Sequence, residues 1–87
     1  MAISEDGKKY TAKKAMREAL KGSGMKQTEL AEELGITQAS VSSNMNRSKV
    51  GIDVFLEMTG AMGYTTCLGK KENGKFVPIW ELEKEEE

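Results

Sequence analysis

Residues 27–45, QTELAEELGITQASVSSNM, decide the fold of this chain. Leucine and alanine recur at helical spacing over residues 27–34, and Gly35 then interrupts the pattern. Thr37 provides an N-cap for a further short helix over residues 38–45. The stretch therefore predicts two short helices joined by a tight turn that contains glycine.

Two short helices joined by a turn of this kind form a helix-turn-helix unit. Apolar side chains must close the joint between the helices, and we expect Ile36 and Val41 to do so. The opposite face of the helix over 38–45 is left with small or amide-bearing, uncharged side chains, namely Gln38, Ala39, Ser42 and Ser43. Such side chains suit a helix that is pressed into a groove.

Two more helices are predicted outside this unit. Thr11 can cap a first helix that runs to about residue 21, and Gly22 suits the left-handed residue after its end. A fourth helix is expected over residues 52–62, with Ile52 among the apolar side chains of its inner face. An 87-residue chain has room for one core built from these helices.

The sequence pattern changes after the fourth helix, where two β-prone segments flank Asn73 and Gly74. Both residues tolerate the positive φ of a type I′ turn, so they predict an antiparallel hairpin with a two-residue loop. This register would place Leu68 opposite Ile79. An isolated two-stranded hairpin is marginal in water. We therefore expect its apolar side chains to be covered by the helices, by a second hairpin, or by both.

The second strand contains the only proline of the chain, Pro78. Proline has no N–H for the ladder, so we expect its nitrogen to face away from the first strand. The strand over residues 64–69 is then the better candidate for pairing with a second copy of the chain. The alternative is a monomer in which the hairpin folds back on its own helices.

The composition excludes several classes of function. The chain has no histidine and one cysteine, Cys67, so a zinc site of the Cys/His kind or a His-dependent nucleophile cannot be built. A chain of this size seldom encloses a cleft that separates the pKa values of two carboxyl groups. We therefore predict a binding module without a cofactor, not an enzyme. The lone cysteine and the absence of a long apolar segment predict a cytoplasmic protein with no membrane contact.

Charge is distributed unevenly, although the formal net charge is −1. No acidic residue lies between Glu33 and Asp53, and this window contains Arg47 and Lys49. We expect the basic residues of the first helix, Arg17 among them, to form a solvated face. Five of the last seven residues are glutamates. An acid-free, basic segment favours a polyanionic partner, despite the overall charge.

The pattern Gln27-x-x-Leu30-Ala31-x-x-x-Gly35-Ile36-Thr37-Gln38-x-x-Val41-Ser42 resembles the helix-turn-helix of the lambda repressor/Cro family of phage and bacterial transcriptional regulators. The similarity extends from Thr11 to about Tyr64. One departure is Lys26, which stands where the family usually has a Ser or Thr helix cap. The resemblance and the hairpin signal together predict a mainly α fold, with a lambda-repressor-like domain of about four helices and a C-terminal antiparallel β-hairpin.

The predicted organisation has three parts. Residues 1–63 form a helical DNA-binding domain that begins with a flexible arm over residues 1–9. Residues 64–82 form the hairpin, which we interpret as a dimerisation element. Residues 83–87 form an acidic tail.

By position, the resemblance implies that the helix over 38–45 enters the major groove of double-stranded DNA. Gln38 would be the main base-contacting residue, because its amide can bond adenine N6 and N7 together. Ala39 could meet a thymine methyl group, and Ser42 and Ser43 could reach base edges directly or through water. The expected phosphate or sugar contacts are Gln27, Thr37, Ser40, Asn46, Arg47 and Lys49.

The resemblance implies a sequence-specific, repressor-like transcriptional regulator that binds a palindromic operator as a homodimer. The alternative is an antitoxin-like or inhibitory protein that binds a protein partner through its C-terminal hairpin. In that case DNA binding is autoregulatory or absent.

Overall fold

The computed structural model describes residues 9–85, over which four helices are followed by a two-stranded hairpin. The elements are α1 (Ala12–Ser23), α2 (Gln27–Leu34), α3 (Gln38–Asn46), α4 (Ile52–Ala61), β1 (Thr66–Glu72) and β2 (Lys75–Leu82). The predicted mainly α fold with a C-terminal antiparallel hairpin is confirmed. The flexible arm expected over residues 1–9 lies outside the described residues except for Lys9, as do the last two residues of the chain.

Helix α1 begins as predicted but ends two residues later than expected. The Thr11 hydroxyl accepts a hydrogen bond from the Lys14 N–H at 3.2 Å. The left-handed residue after the helix is Gly24, with φ 74°, so the assignment of that position to Gly22 is wrong. Gly22 lies in the last turn of α1, where a β-carbon would be 2.5 Å from the hydroxyl oxygen of Tyr64. This glycine is explained by a close tertiary contact and not by a helix end.

The turn between α2 and α3 follows the sequence signals. Gly35 has φ 68° and ends α2, and the Ile36 N–H donates to the Ala31 carbonyl at 3.0 Å. The Thr37 hydroxyl then accepts from the Ser40 N–H at 3.1 Å and caps α3. At the start of α2, where the chain has Lys26, the Glu29 carboxylate accepts from the Lys26 N–H at 3.0 Å and supplies the cap.

The core lies between the four helices, each of which packs apolar side chains into it. Its buried hydrophobic residues among those described are Met16, Ala19, Leu30, Ala31, Val41, Met45, Met58 and Met62. Half of them are methionines. Methionine adapts to irregular space but does not favour one packing arrangement strongly.

Two isoleucines expected inside lie at the surface. Ile36 is 39% exposed, so Val41 is the buried member of the predicted pair. Ile52 is 58% exposed because it is the first residue of α4 and lies at the open end of that helix. The inner face of α4 is formed further along, by Phe55 and Met58.

The hairpin turn is the predicted one, and the predicted register holds from the Glu72–Lys75 pair to the Gly69–Pro78 pair but not beyond it. Asn73 and Gly74 have φ values of 51° and 78°, as a type I′ turn requires. Gly69 pairs with Pro78 while Leu68 pairs with Trp80, so Ile79 is an extra residue in β2 and the predicted Leu68–Ile79 pair is wrong. This irregularity is a β-bulge, and glycine and proline are typical of strands at such places.

Pro78 lies at a position where its nitrogen faces away from β1, so its missing N–H removes no hydrogen bond of the ladder. Glu72 and Lys75 flank the two-residue turn and form a hydrogen-bonded pair, after which bonded and non-bonded pairs alternate along the ladder. The Gly69–Pro78 pair is therefore of the non-bonded kind, with the Pro78 nitrogen at the outer edge of β2. The outer edge of β2 therefore lacks a donor at Pro78 and contains the extra residue Ile79, whereas β1 contains no proline.

Candidate nucleic-acid interface

Helix α3 presents one face to the core and the other to the surface. Val41 is fully buried and Met45 is 3% exposed, so these two side chains anchor the helix. Gln38, Ala39 and Ser43 are exposed. Ser42 is half-buried, at the boundary between the two faces. The predicted base-contacting residues therefore share one accessible ridge, with Ser42 the least accessible of them.

The N-terminal end of α3 is organised by two exposed hydroxyl groups. Thr37 donates a hydrogen bond to the Ser40 hydroxyl oxygen at 3.0 Å, in addition to accepting the cap bond from the Ser40 N–H. The Thr37 hydroxyl is thus engaged within the protein as donor and acceptor. The first N–H groups of a helix have no partner within the helix, and such an end attracts a phosphate.

Gln27 lies at the first position of α2, where it is half-buried. The exposed Arg47 and Lys49 lie in the loop that follows α3. The structure therefore distributes the predicted backbone-contacting residues over the start of α2 and both ends of α3. No acidic side chain lies on α3 or in its flanking loops, because the chain has none between Glu33 and Asp53. A phosphate near this surface would meet no like charge from those segments.

The exposed Asn46 side chain forms hydrogen bonds to Arg17 and Ser42 of the same chain, which the sequence did not indicate. Its Oδ1 accepts a hydrogen bond from Arg17 Nη2 at 2.8 Å, and its Nδ2 donates to the Ser42 carbonyl at 2.9 Å. Arg17 was expected on a solvated face of α1, and it is exposed, but it also bonds to the last residue of α3. The two residues are 29 positions apart, so no local pattern reveals the contact.

A separate cavity lies away from this surface. It has a volume of about 380 Å³ and is lined by α1, by α4 and by the link to β1, with Glu18, Phe55 and Tyr64 among its residues. None of the predicted DNA-contacting residues lines it. Within residues 9–85, no group of three or more His, Cys, Asp or Glu side chains could hold a metal ion. Over the same residues, no helix is long and apolar enough to cross a bilayer.

The comparison with protein families agrees with this geometry. The helix-turn-helix family profile matches residues 16–66, which is more than half of the chain. The chain belongs to the helix-turn-helix family of the lambda repressor/Cro type. This is a family of DNA-binding regulators and not of enzymes. Searches of curated proteins and of solved structures gave no match.

Proposed function

We propose that this protein is a sequence-specific, repressor-like transcriptional regulator that reads double-stranded DNA in the major groove with α3. The observation that carries the proposal is the exposed ridge of α3, held outward by the burial of Val41 and Met45. Its side chains are short or carry an amide, and no acidic residue lies on it. Such a helix can enter the groove closely without electrostatic repulsion.

On this proposal the base contacts come from the first half of α3. The Gln38 amide bonds an adenine through N6 and N7, and Ala39 packs against a thymine methyl group. Ser43 lies one turn further on and is exposed, so it reaches base edges or bridging water. Ser42 contributes less, because it is half-buried.

The contacts to the DNA backbone fix the position of α3 without selecting bases. Gln27 and the N-terminal end of α2 bind one phosphate, and the start of α3 at Thr37 and Ser40 binds another. Arg47 and Lys49 bind phosphates beyond the C-terminal end of α3. Because these contacts displace cations from DNA, the affinity should fall as the salt concentration rises.

We infer that the protein acts as a homodimer formed through the hairpin. Leu68 and Trp80 are direct cross-strand partners and hence lie on the same face, where they are 51% and 61% exposed. An exposed pair of this size needs a cover, and residues 9–85 of the same chain do not supply it. The outer edge of β1, which contains no proline, offers the place where two hairpins can pair antiparallel.

The base of the hairpin and the end of α3 lie against different sides of α1. Successive residues of a helix are rotated by about 100°. Ala15 and Glu18 line the cavity at the base of the hairpin, whereas Arg17 contacts the end of α3. We expect α3 of each copy to stay accessible in a dimer formed through the hairpin, and two-fold symmetry implies a palindromic operator with half-sites ~34 Å apart. A dimer bound over a promoter would exclude polymerase sterically, in the cytoplasm and without a cofactor.

A second candidate function uses the same hairpin face to bind a protein partner. It is favoured by the exposed Leu68–Trp80 pair and by the exposed Glu81 and Glu83 close to it, which together suit a partner with a basic rim. An antitoxin-like or inhibitory protein would have this property. The purified chain would then be a monomer, with the hairpin face reserved for the partner.

The proposed function is tested by selecting bound duplexes from a pool of random double-stranded DNA. The proposal predicts enrichment of one palindrome whose half-sites are separated by about one helical turn. A pool that stays random after repeated rounds at low salt would contradict it. A recovered sequence without two-fold symmetry would leave DNA recognition in place but remove the homodimer.

A further inference from the structure

The two helices α1 and α3 are joined at their exposed edges by a pair of linked hydrogen bonds. Arg17 Nη2 donates to Asn46 Oδ1 at 2.8 Å, and Asn46 Nδ2 donates to the Ser42 carbonyl at 2.9 Å. The amide of Asn46 thus connects a guanidinium on α1 to the last turn of α3. A hydrogen bond to a charged donor is shorter and stronger than one between neutral groups.

The charge of Arg17 also complements the end of α3. The C-terminal end of a helix carries partial negative charge, which a nearby cation stabilises. Helix α3 has no basic residue in its own last turn. Arg17 adds positive charge there from the neighbouring helix, beside Arg47 at the C-cap.

The core beside this link contains two side chains that adapt easily to different packing. Met16 precedes Arg17, Met45 precedes Asn46, and both methionines belong to the buried core. Methionine side chains repack at little cost, so a methionine-rich joint admits several helix orientations of similar energy. A directional hydrogen bond above such a joint selects one of them.

We propose that Arg17 is a positioning residue for DNA recognition, which acts through Asn46 to fix the orientation of α3. This inference rests on the proposed DNA-binding function and adds to it a residue outside the helix-turn-helix unit. Base contacts need α3 at one depth and angle in the groove, whereas the electrostatic attraction to phosphates does not depend on the base sequence. Loss of the link should therefore reduce discrimination between sequences more than it reduces binding to DNA in general.

The test compares the affinities of the full chain for two duplexes, the one recovered by selection and a scrambled one of the same composition. The variants are Asn46→Ala, Arg17→Met and the double variant, with Lys21→Met as the control. Lys21 is exposed on the same helix, so its replacement removes an equal charge without touching the link. Thermal unfolding of each variant checks that the domain remains folded.

We expect Asn46→Ala to weaken binding to the selected duplex about tenfold and binding to the scrambled duplex less than about twofold. Arg17→Met should show the same loss of discrimination together with the small general loss that Lys21→Met shows. The double variant should be no worse than Arg17→Met, because both changes break one link.

Two results would overturn the inference, and a third would overturn the proposed function. Equal losses on both duplexes for Asn46→Ala would show that Asn46 is a simple phosphate contact and would overturn the inference. Additive losses in the double variant would overturn it as well. If the unaltered protein does not discriminate between the duplexes, the proposed function fails, and the positioning role fails with it.

Discussion

Tyr64 lies against Gly22 so closely that a β-carbon on this glycine would be 2.5 Å from the Tyr64 hydroxyl oxygen. The Tyr64 N–H also donates to the Thr59 carbonyl at 3.0 Å, which fixes the residue to the end of α4. The contact therefore joins the last turn of α1, the end of α4 and the beginning of the hairpin. It determines where the hairpin leaves the helical domain.

The first prediction compares two glycines inside helices. Gly60→Ala should raise the free energy of unfolding by ~1 kcal/mol, because alanine favours the helix and its β-carbon meets nothing within 4 Å. The free energy of unfolding of the Gly22→Ala variant should be at least ~1 kcal/mol lower than that of Gly60→Ala, since the Tyr64 ring must move. Denaturant unfolding of both variants provides the measurement.

The phenol oxygen is the atom responsible, because the next ring carbon of Tyr64 lies 3.8 Å from the same β-carbon position. Tyr64→Phe should therefore restore the benefit of Gly22→Ala. If Gly22→Ala stabilises the unaltered protein as much as Gly60→Ala does, Tyr64 does not occupy this space in solution.

The second prediction concerns the hairpin as a dimer interface. Leu68→Lys places a charge beside Trp80 on the exposed face and should convert the dimer to a monomer, since a charge buried there would lack a partner. Light scattering at micromolar concentration should give twice the 9.6 kDa mass of the chain for the unaltered protein and the single mass for the variant.

The control for this prediction is Ile52→Lys. Ile52 is 58% exposed on α4, comparable to Leu68 at 51%, but lies outside the hairpin. This variant should remain a dimer. An unaltered protein of 9.6 kDa would remove the dimer and favour the second candidate function.

The third prediction separates backbone contact from base contact. Arg47 is exposed in the loop after α3 and makes none of the side-chain hydrogen bonds observed among residues 9–85. Arg47→Ala should weaken binding to selected and scrambled duplexes alike. It should also reduce the slope of the logarithm of affinity against the logarithm of salt concentration by about one. A loss confined to the selected duplex would identify Arg47 as a base-contacting residue instead.

The sequence was sufficient to predict the structure wherever one residue determines the local conformation. Thr11, Gly35 and Thr37 have the conformations and bonds expected of caps and helix ends, and Asn73-Gly74 has the expected turn. These features depend on φ preferences and on hydroxyl groups within a few residues of their partners, so a local pattern contains all the information needed.

The sequence did not predict features that depend on a contact with a residue in another helix, strand or connecting segment. Gly22 is shaped by Tyr64 and Asn46 by Arg17, and neither partner is a neighbour along the chain. The bulge at Ile79 escaped detection because the turn fixes the register only up to the first irregularity in a strand. The same limit applies to Ile52, whose apolar character predicted burial although the end of α4 is open.

The most direct test of the account is the effect of Gln38→Ala on a panel of duplexes, each carrying one altered base pair in the selected site. If α3 reads the sequence through Gln38, the variant should lose ~1–3 kcal/mol of binding free energy on the selected site. It should also bind equally well whichever base occupies one position in each half-site. Unchanged preference at every position, with equal loss on selected and scrambled DNA, would contradict the claim that α3 reads the sequence through Gln38.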